Sequence, residues 1–290
     1  MNQPEQRALM AVPAIIAVGA AVAWAGSQGG VSAGGVPVFA LCGLLAFVIN
    51  WVVFVPSYLA QTERFFDLAG SLTYVTVIGT ALLATAATDP RSLLLAALVL
   101  VWAIRLGTFL FSRINREGKD GRFDELKTSF SRFLGAWTLQ GLWVFLTLAC
   151  ALAAITSEGV RPLGGAALVG ALIWAVGFAI EVVADRQKRR FRTDPENRGR
   201  FIQSGLWAWS RHPNYFGEIV LWVGVAIIAY PELAGWQYVT LVSPLFVYLL
   251  LTRVSGIPLL EERAQAKWGE DPEYQAYRNR TPELVMRRPR

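Results

Sequence analysis

The sequence contains little of what metal centres, disulfide frameworks and soluble domains are built from. Its 290 residues include one histidine, His212, and two cysteines, Cys42 and Cys150. The cysteines lie in different apolar segments and lack metal-site spacing, which predicts two buried thiols instead of a disulfide, and no bound metal. Only 17% of the residues are charged, whereas soluble domains carry about 25%. These shortages exclude an ordinary soluble domain.

Apolar residues take the place of the missing charges. They make up 54% of the chain and recur in runs close to the length of about 20 residues that spans a bilayer core. The first run lacks a basic leader and a cleavage site, so we predict a helix there and no signal peptide. The predicted spans are 8–25, 36–59, 68–87, 91–111, 133–155, 163–184, 215–230 and 237–253.

These runs predict an all-α fold class, a polytopic transmembrane helical bundle of about eight spans. The last two spans are short and meet at Pro231, so a tight hairpin stays open as an alternative to two full crossings. The sequence shows no internal repeat and no second soluble domain. We therefore expect a single integral membrane domain over residues 1–290.

The distribution of positive charge predicts the orientation. Connections on one side of the predicted spans carry 24 Lys and Arg residues, whereas those on the other side carry only Arg91 and Arg161. By the positive-inside rule, both termini and the three large basic segments lie in the cytoplasm. The same bias accounts for the net charge of +6 without a nucleic-acid partner.

The basic segment after the sixth span is a candidate site for an anionic ligand. The helix is expected to continue past the membrane and to end near Asp194-Pro195, because proline disfavours helix in the residue before it. Arginine's planar fork suits phosphate. An anchor on anionic lipid headgroups stays open as the alternative. The candidate residues are Asp185, Arg192, Asn197 and Arg200.

The seventh span begins with a dense set of polar residues. Pro213 favours a helix start, and the polar side chains around it fall in the first turns of an apolar helix. Polar groups this close to hydrocarbon are costly, and they usually mark a functional site. The alternative is a capped interfacial helix with a tyrosine at the membrane surface. The candidate residues are Arg211, His212, Asn214, Tyr215 and Glu218.

Three more candidates, Asp67, Tyr74 and Arg105, lie in or beside the third and fourth spans. An arginine inside a span needs a carboxylate or phosphate partner. For Asp67 the alternative is a helix N-cap, and for Arg105 it is a side chain that snorkels toward the next basic segment.

The C-terminal segment is amphipathic, with Trp268, Tyr274 and Tyr277 among charged residues. These rings are suited to an interfacial position in which they cover a cavity. A plain cytoplasmic surface helix is the alternative.

The run Arg-His-Pro-Asn-Tyr-x-Gly-Glu that ends at Glu218, together with Asp185-x-Gln-Lys, resembles the uncharacterised bacterial branch of the steroid 5α-reductase superfamily, the DUF1295-type membrane proteins. The resemblance covers about residues 60–285. The run is also similar to that of sterol C14-reductases. A looser form, with Glu261-Glu262 and Tyr274-x-x-Tyr277, resembles the isoprenylcysteine carboxyl methyltransferases.

The reductase resemblance implies NADPH as the cofactor and a bacterial inner-membrane location. It implies hydride transfer to a C=C bond conjugated to a carbonyl in a lipophilic substrate, a steroid- or isoprenoid-like lipid. The family's carboxyl position falls on Asp67, and its tyrosine position falls on Trp102, so Tyr74 is the substitute donor. The positions that match the family's cofactor contacts are Arg105, Asp185, Arg192, Arg200, Asn214 and Glu218.

Two other functions stay open. One is an S-adenosylmethionine-dependent methyltransferase of a lipid or lipidated thiol, as the looser motif implies. The other is a membrane protein that binds lipid without catalysis.

Overall fold

A computed structural model describes residues 3–117, 121, 123–159 and 161–289 of the chain. These residues are mostly helical and contain almost no strand, which confirms the all-α fold class. The ten α-helices of the described residues are α1 Gln3–Gly26, α2 Val38–Leu59, α3 Phe66–Thr85, α4 Pro90–Glu117, α5 Phe130–Ile155, α6 Gly165–Thr193, α7 Pro213–Ala229, α8 Val242–Leu249, α9 Ile257–Trp268 and α10 Pro272–Arg280. Two short strands, β1 Ser32–Ala33 and β2 Val36–Pro37, pair antiparallel.

Short helical turns of other types connect these helices. The 3-10 turns are Pro195–Asn197, Gly205–Ala208, Tyr230–Glu232 and Gly235–Leu241, and Leu250–Val254 is a π-helical segment. Within the described residues, eight segments are long and apolar enough to cross a membrane, including Pro213–Glu232 and Gly235–Trp268. The protein is therefore an integral membrane protein with eight candidate spans. The lengths of the last two segments favour two crossings over a tight hairpin.

Helix ends near the basic segment follow the proline signals in the sequence. Helix α6 ends at Thr193, and the side chain of Asp194 accepts a hydrogen bond from the Glu196 backbone N–H at 3.0 Å. Helix α7 begins at Pro213, where the missing N–H of proline breaks no helical hydrogen bond. Both predicted boundaries are confirmed.

The chain divides into two compact units. The first comprises Met1–Ala167 and Ile228–Ser243, and the second comprises Leu168–Ile227 and Pro244–Arg290. Helix α5 is the buried centre of the first unit, where α1, α2 and α3 pack around it. Cys42 and Cys150 are buried free thiols, as predicted.

A buried polar network joins three helices of the first unit. The amide of Gln140 on α5 donates to Asn50 Oδ1 at 2.9 Å and to the Phe66 carbonyl oxygen at 2.8 Å. Asn50 on α2 also donates to the Thr73 hydroxyl at 3.3 Å. Because buried amides are costly without partners, these bonds fix the first turn of α3, which carries Asp67.

In the second unit, α6 and α7 approach one another backbone to backbone at glycines. A Cβ atom on Gly177 would lie 2.5 Å from the Leu221 backbone nitrogen, and one on Gly224 would lie 2.6 Å from the Gly170 carbonyl oxygen. Small residues permit this close packing of membrane helices.

Candidate functional site

The second unit contains a cavity of about 320 Å³ whose wall combines cationic and aromatic side chains. It is built from the end of α6, the segment that leads to α7, and helices α9 and α10. Ligand pockets start near this volume, at about 300 Å³. The cationic residues that line it are Lys188, Arg192, Arg200, Arg211, Arg263 and Lys267, and one carboxylate, Glu261, lines it too.

The arginine-bearing turn after α6 is held in place by the C-terminal segment. Gly199 has a φ of +85°, a left-handed conformation that glycine adopts without strain. Its carbonyl oxygen accepts a hydrogen bond from the Trp268 indole N–H at 2.7 Å. This hydrogen bond fixes the backbone at Gly199, and Arg200 is the next residue.

An aromatic cluster forms the second component of the cavity wall. The ring of Phe201 lies 5.9 Å from Trp268, 5.2 Å from Tyr274 and 5.5 Å from Tyr277, measured between centroids. The Tyr277 hydroxyl donates to the Trp207 carbonyl oxygen at 2.8 Å, and burial raises the pKa of Tyr277. The tail rings thus line a cavity, as the amphipathic pattern predicted, and Tyr277 stays a neutral donor.

Glu261 joins the two residues that precede α7. Its Oε1 lies 2.9 Å from His212 Nε2, and its Oε2 accepts a hydrogen bond from Arg211 Nη1. A carboxylate accepts, so this contact favours the His212 tautomer with its proton on Nε2. Burial lowers the pKa of His212, although the hydrogen bond with Glu261 opposes that effect.

Two polar atoms of Arg211 and His212 remain without a hydrogen bond in the part of the chain that the structure describes. Among the described residues, neither Arg211 Nε nor His212 Nδ1 has a hydrogen-bond partner, although both atoms are buried. The His212 ring stacks on Tyr215 at 5.8 Å, with 10° between the ring planes. Buried polar atoms are normally satisfied, so these two are positions for a ligand or an ordered water.

Residues 209–211 are hydrogen-bonded to a later segment, Pro282–Arg287, which we call the strap. The Arg211 N–H donates to the Pro282 carbonyl oxygen at 2.8 Å, and the Ser210 hydroxyl donates to the Leu284 carbonyl oxygen at 2.8 Å. The Arg287 N–H donates to the Trp209 carbonyl oxygen at 2.9 Å. The strap therefore fixes the position of Arg211.

The predicted acidic and amide residues of the second unit lie outside the described wall of this cavity. Asp185 and Glu218 are buried, at 7% and 9% exposure, on α6 and α7. Asn214 and Tyr215 are half-buried in the first turn of α7, and Asn197 is half-buried in the 3-10 turn after α6. Of the predicted cofactor residues, the structure brings four together around the cavity, namely Arg192, Arg200, Arg211 and His212.

The other predicted residues belong to the first unit. Asp67 is the second residue of α3 and Phe65 is the N-cap, so Asp67 is not the helix cap that the sequence left open. Tyr74 is buried, and its ring packs edge-on against Trp102 at 5.0 Å and 88°. The Arg105 guanidinium lies 5.3 Å from the centroid of the Phe109 ring.

Sequence reasoning missed Arg263 and Lys267 as part of the wall and gave Glu261 no contact with His212. Arg263 and Lys267 are four residues apart and therefore share a face of α9. Their spacing was visible in the sequence, but the distance of about 50 residues from Arg211 to Glu261 concealed the contact.

The match to a family model covers most of the chain. The model, described as "Protein of unknown function (DUF1295)", matches residues 53–281. The chain belongs to the DUF1295 family. The match confirms the predicted membership of a steroid 5α-reductase-like, DUF1295-type family. The matched residues include Asp67 and Tyr74 on α3 and all the residues that line the cavity.

Curated relatives of two kinds match parts of the DUF1295 protein. The 3-oxo-5-alpha-steroid 4-dehydrogenase 1 of Rattus norvegicus is 36% identical over 87 residues, 30% of this chain and 31% of the relative. The Bos taurus protein of that name is 31% identical over 71 residues, which cover 24% of this chain and 27% of the relative. The "Probable O-methyltransferase ustE" of Ustilaginoidea virens is 30% identical over 142 residues, which cover 44% of this chain and 48% of the relative.

These matches are partial. The chain spans between about a quarter and a half of the length of these curated relatives. No solved structure matches the chain significantly. The steroid dehydrogenase relatives support an oxidoreductase in the membrane.

Proposed function

We propose that this DUF1295 protein is an NADPH-dependent reductase of the bacterial inner membrane, with both termini in the cytoplasm. The observation that carries the proposal is the charge of the cavity in the second unit. Six cationic side chains and one carboxylate line it, and burial keeps His212 neutral by lowering its pKa. Such a wall suits a ligand with several negative charges.

NADPH fits this wall. Its pyrophosphate and its 2′-phosphate match the guanidinium and ammonium groups, and its adenine matches the rings of Phe201 and Trp268. The cavity, at about 320 Å³, is small for a ligand pocket, so it suits the adenosine end. For the remainder of the cofactor we propose Arg105, Asp185, Asn197, Asn214, Tyr215 and Glu218.

When bound, the reduced nicotinamide supplies a hydride to the β-carbon of a substrate enone. Tyr74 and Asp67 are the proposed groups that polarise the substrate carbonyl. A tyrosine hydroxyl, or a carboxylic acid kept neutral by its surroundings, donates a hydrogen bond to the developing enolate oxygen. The ring of Tyr74 packs against Trp102, the residue that occupies the family's tyrosine position. The Tyr74 side chain therefore lies next to the position from which the family's tyrosine would donate.

The substrate class follows from the location of these donors. Tyr74 is buried in a membrane-spanning helix, and such a position is reached by lipids more readily than by water-soluble compounds. We therefore propose a lipophilic substrate of steroid- or isoprenoid-like character. Because the curated dehydrogenases of cattle and rat are named for a 3-oxo steroid, an enone lipid is the first compound to supply.

A methyltransferase is the second candidate, and one observation favours it. Glu261 contacts Arg211 and His212, which brings together the looser motif shared with isoprenylcysteine methyltransferases, and a probable O-methyltransferase is among the relatives. However, S-adenosylmethionine carries a cationic sulfonium and no phosphate. Six lining cations suit that compound less well than a dinucleotide with three phosphate groups.

Calorimetry on the detergent-purified protein tests the proposal. NADPH is expected to bind with micromolar or better affinity, and S-adenosylmethionine to bind at least tenfold more weakly. Arg200→Ala should weaken NADPH binding about 10–100-fold, because charge-assisted hydrogen bonds to phosphate contribute roughly 1.5–3 kcal/mol. The matched control is Arg189→Gln, which removes an exposed charge from α6 away from the cavity.

The alternatives predict different results in the same experiment. Preferential binding of S-adenosylmethionine would identify a methyltransferase. Binding of neither nucleotide would indicate a protein that binds lipid without catalysis, and the proposal would then be wrong.

A further inference from the structure

The cations that line the cavity form two groups on different elements. Lys188, Arg192, Arg200 and Arg211 come from the end of α6 and the segment that leads to α7, whereas Arg263 and Lys267 come from α9. A single phosphate group needs only one such group. Two groups in one cavity match a ligand with phosphates at two separate positions.

The α9 group lies beside the aromatic part of the wall. The Lys267 ammonium is 4.5 Å from the centroid of the Trp268 ring, and Trp268 in turn packs on Phe201. Arg263 is one helical turn before Lys267 and shares its face. Both residues are exposed, so a dianionic phosphate bound there keeps part of its hydration.

The other group leads toward the start of α7. Arg211 precedes Pro213, the first residue of that helix, by two positions, and Asn214 and Glu218 follow in its first turns. These two residues are proposed for the remainder of the cofactor. A pyrophosphate that connects the adenosine to the rest of the dinucleotide therefore belongs with Arg211 and Lys188, and not with α9.

We infer that Arg263 and Lys267 bind the 2′-phosphate of NADPH and determine its selection over NADH. This inference rests on the proposed function. A base stacked on Phe201 or Trp268 carries its ribose toward Lys267, and the ribose 2′-position is where the two nucleotides differ. NADH offers a neutral hydroxyl there, which gains little from two cations.

The experiment compares both nucleotides on matched variants. The Arg263→Gln/Lys267→Gln double variant is expected to bind NADPH about 10–100-fold more weakly than the unaltered protein, and NADH within twofold of it. Arg189→Gln, the control on α6, should bind both nucleotides normally. Competition adds a second measurement: adenosine 2′,5′-bisphosphate should displace NADPH from the unaltered protein better than ADP does, and the double variant should lose that difference.

The outcomes separate the inference from the function on which it rests. If the double variant loses affinity for NADPH and NADH equally, or the unaltered protein binds both equally well, the inference is wrong and the proposed function stands. If the unaltered protein binds neither nucleotide, the proposed function is wrong and the inference goes with it. Should the double variant unfold, the single variants Arg263→Gln and Lys267→Gln replace it in the competition, and a preference for adenosine 2′,5′-bisphosphate over ADP that is unchanged in both would overturn the inference.

Discussion

Each unit of the molecule contains an arginine paired with a glutamate, and the two pairs differ in what surrounds the guanidinium. In the first unit, Arg91 contacts Glu232 at 3.3 Å, and both side chains are 3% exposed. Arg91 also donates to the carbonyl oxygens of Ile228 at 2.7 Å and Pro162 at 2.8 Å. Its two terminal nitrogens thus donate to backbone carbonyls, whereas its Nε, 3.3 Å from Glu232 Oε2, has no hydrogen bond among the described residues.

In the second unit, Arg211 pairs with Glu261, and its Nη2 lies 3.7 Å from Glu283. Its Nε, like that of Arg91, has no hydrogen-bond partner among the described residues, but Arg211 lines a cavity with five other cations. The first pair holds segments of the fold together. The second pair lies at a cavity whose lining carries net positive charge. What surrounds the guanidinium, backbone carbonyls in one pair and a cavity lined by cations in the other, therefore separates the two arginines more clearly than burial does.

The largest expected effect comes from breaking the first pair. Arg91→Ala leaves the buried Glu232 carboxylate without its cation and with only the Arg161 backbone N–H, at 3.1 Å, as a hydrogen-bond donor among the described residues. This loss is expected to cost roughly 3–5 kcal/mol of stability and to lower the Tm by roughly 6–20 °C. Thermal unfolding in detergent measures this. Arg161→Gln removes an exposed charge from the same region and should change the Tm by about 2 °C at most. A normal Tm for Arg91→Ala would show that the pair contributes no stability.

Arg211→Gln tests the other half of the comparison. NADPH affinity should fall about 10–100-fold, because a charge-assisted contact to phosphate is lost. The Tm should fall less than in Arg91→Ala, since Glu261 keeps His212 and the Arg278 guanidinium, at 3.8 Å, as neighbours. Calorimetry and thermal unfolding on one preparation give both values. A large Tm loss with unchanged affinity would reverse the roles of the two arginines.

The smallest effect concerns pH and His212. Burial lowers its pKa below the ordinary 6.5, so its contribution to stability is fully present above pH 6.5. That contribution is lost as the pH falls from 6.5 through the lower folded-state pKa, and each tenfold weakening of proton binding corresponds to about 1.4 kcal/mol. The Tm advantage of the unaltered protein over His212→Gln should therefore shrink between pH 7.5 and pH 5. An advantage that grows on acidification would mean a raised pKa.

His212 also permits a direct check of its contact with Glu261. It is the chain's one histidine, so nitrogen-15 labelling of histidine gives a single imidazole in the NMR spectrum. The Nε2–H tautomer is expected in the unaltered protein, and a mixture of tautomers in Glu261→Gln, because an amide both donates and accepts.

Local signals in the sequence predicted the helices and their ends. Pro195 and Pro213 act on their own backbone neighbours, so the end of α6 and the start of α7 were predictable. The basic and aromatic composition also predicted which segments line a cavity. These properties depend on residues a few positions apart, and such short-range effects survive in any fold.

Contacts between distant segments were not predictable. Arg91 was counted as an ordinary loop charge on the less basic side, and its burial against Glu232 depends on residues 141 positions apart. Glu261 similarly reaches Arg211 only after α8 and α9 have folded back. A charge count weighs each residue alone, whereas these two pairs arise from packing.

The strap has a consequence for biosynthesis. Ser210 and Arg211 receive their hydrogen-bond partners Pro282 and Leu284 from a segment that leaves the ribosome after all ten helices. A nascent chain halted before residue 282 can insert its membrane spans, yet it lacks the bonds that position Arg211. Membrane insertion and the final positioning of Arg211 are thus expected to be separate steps, and the second waits for translation to pass the strap.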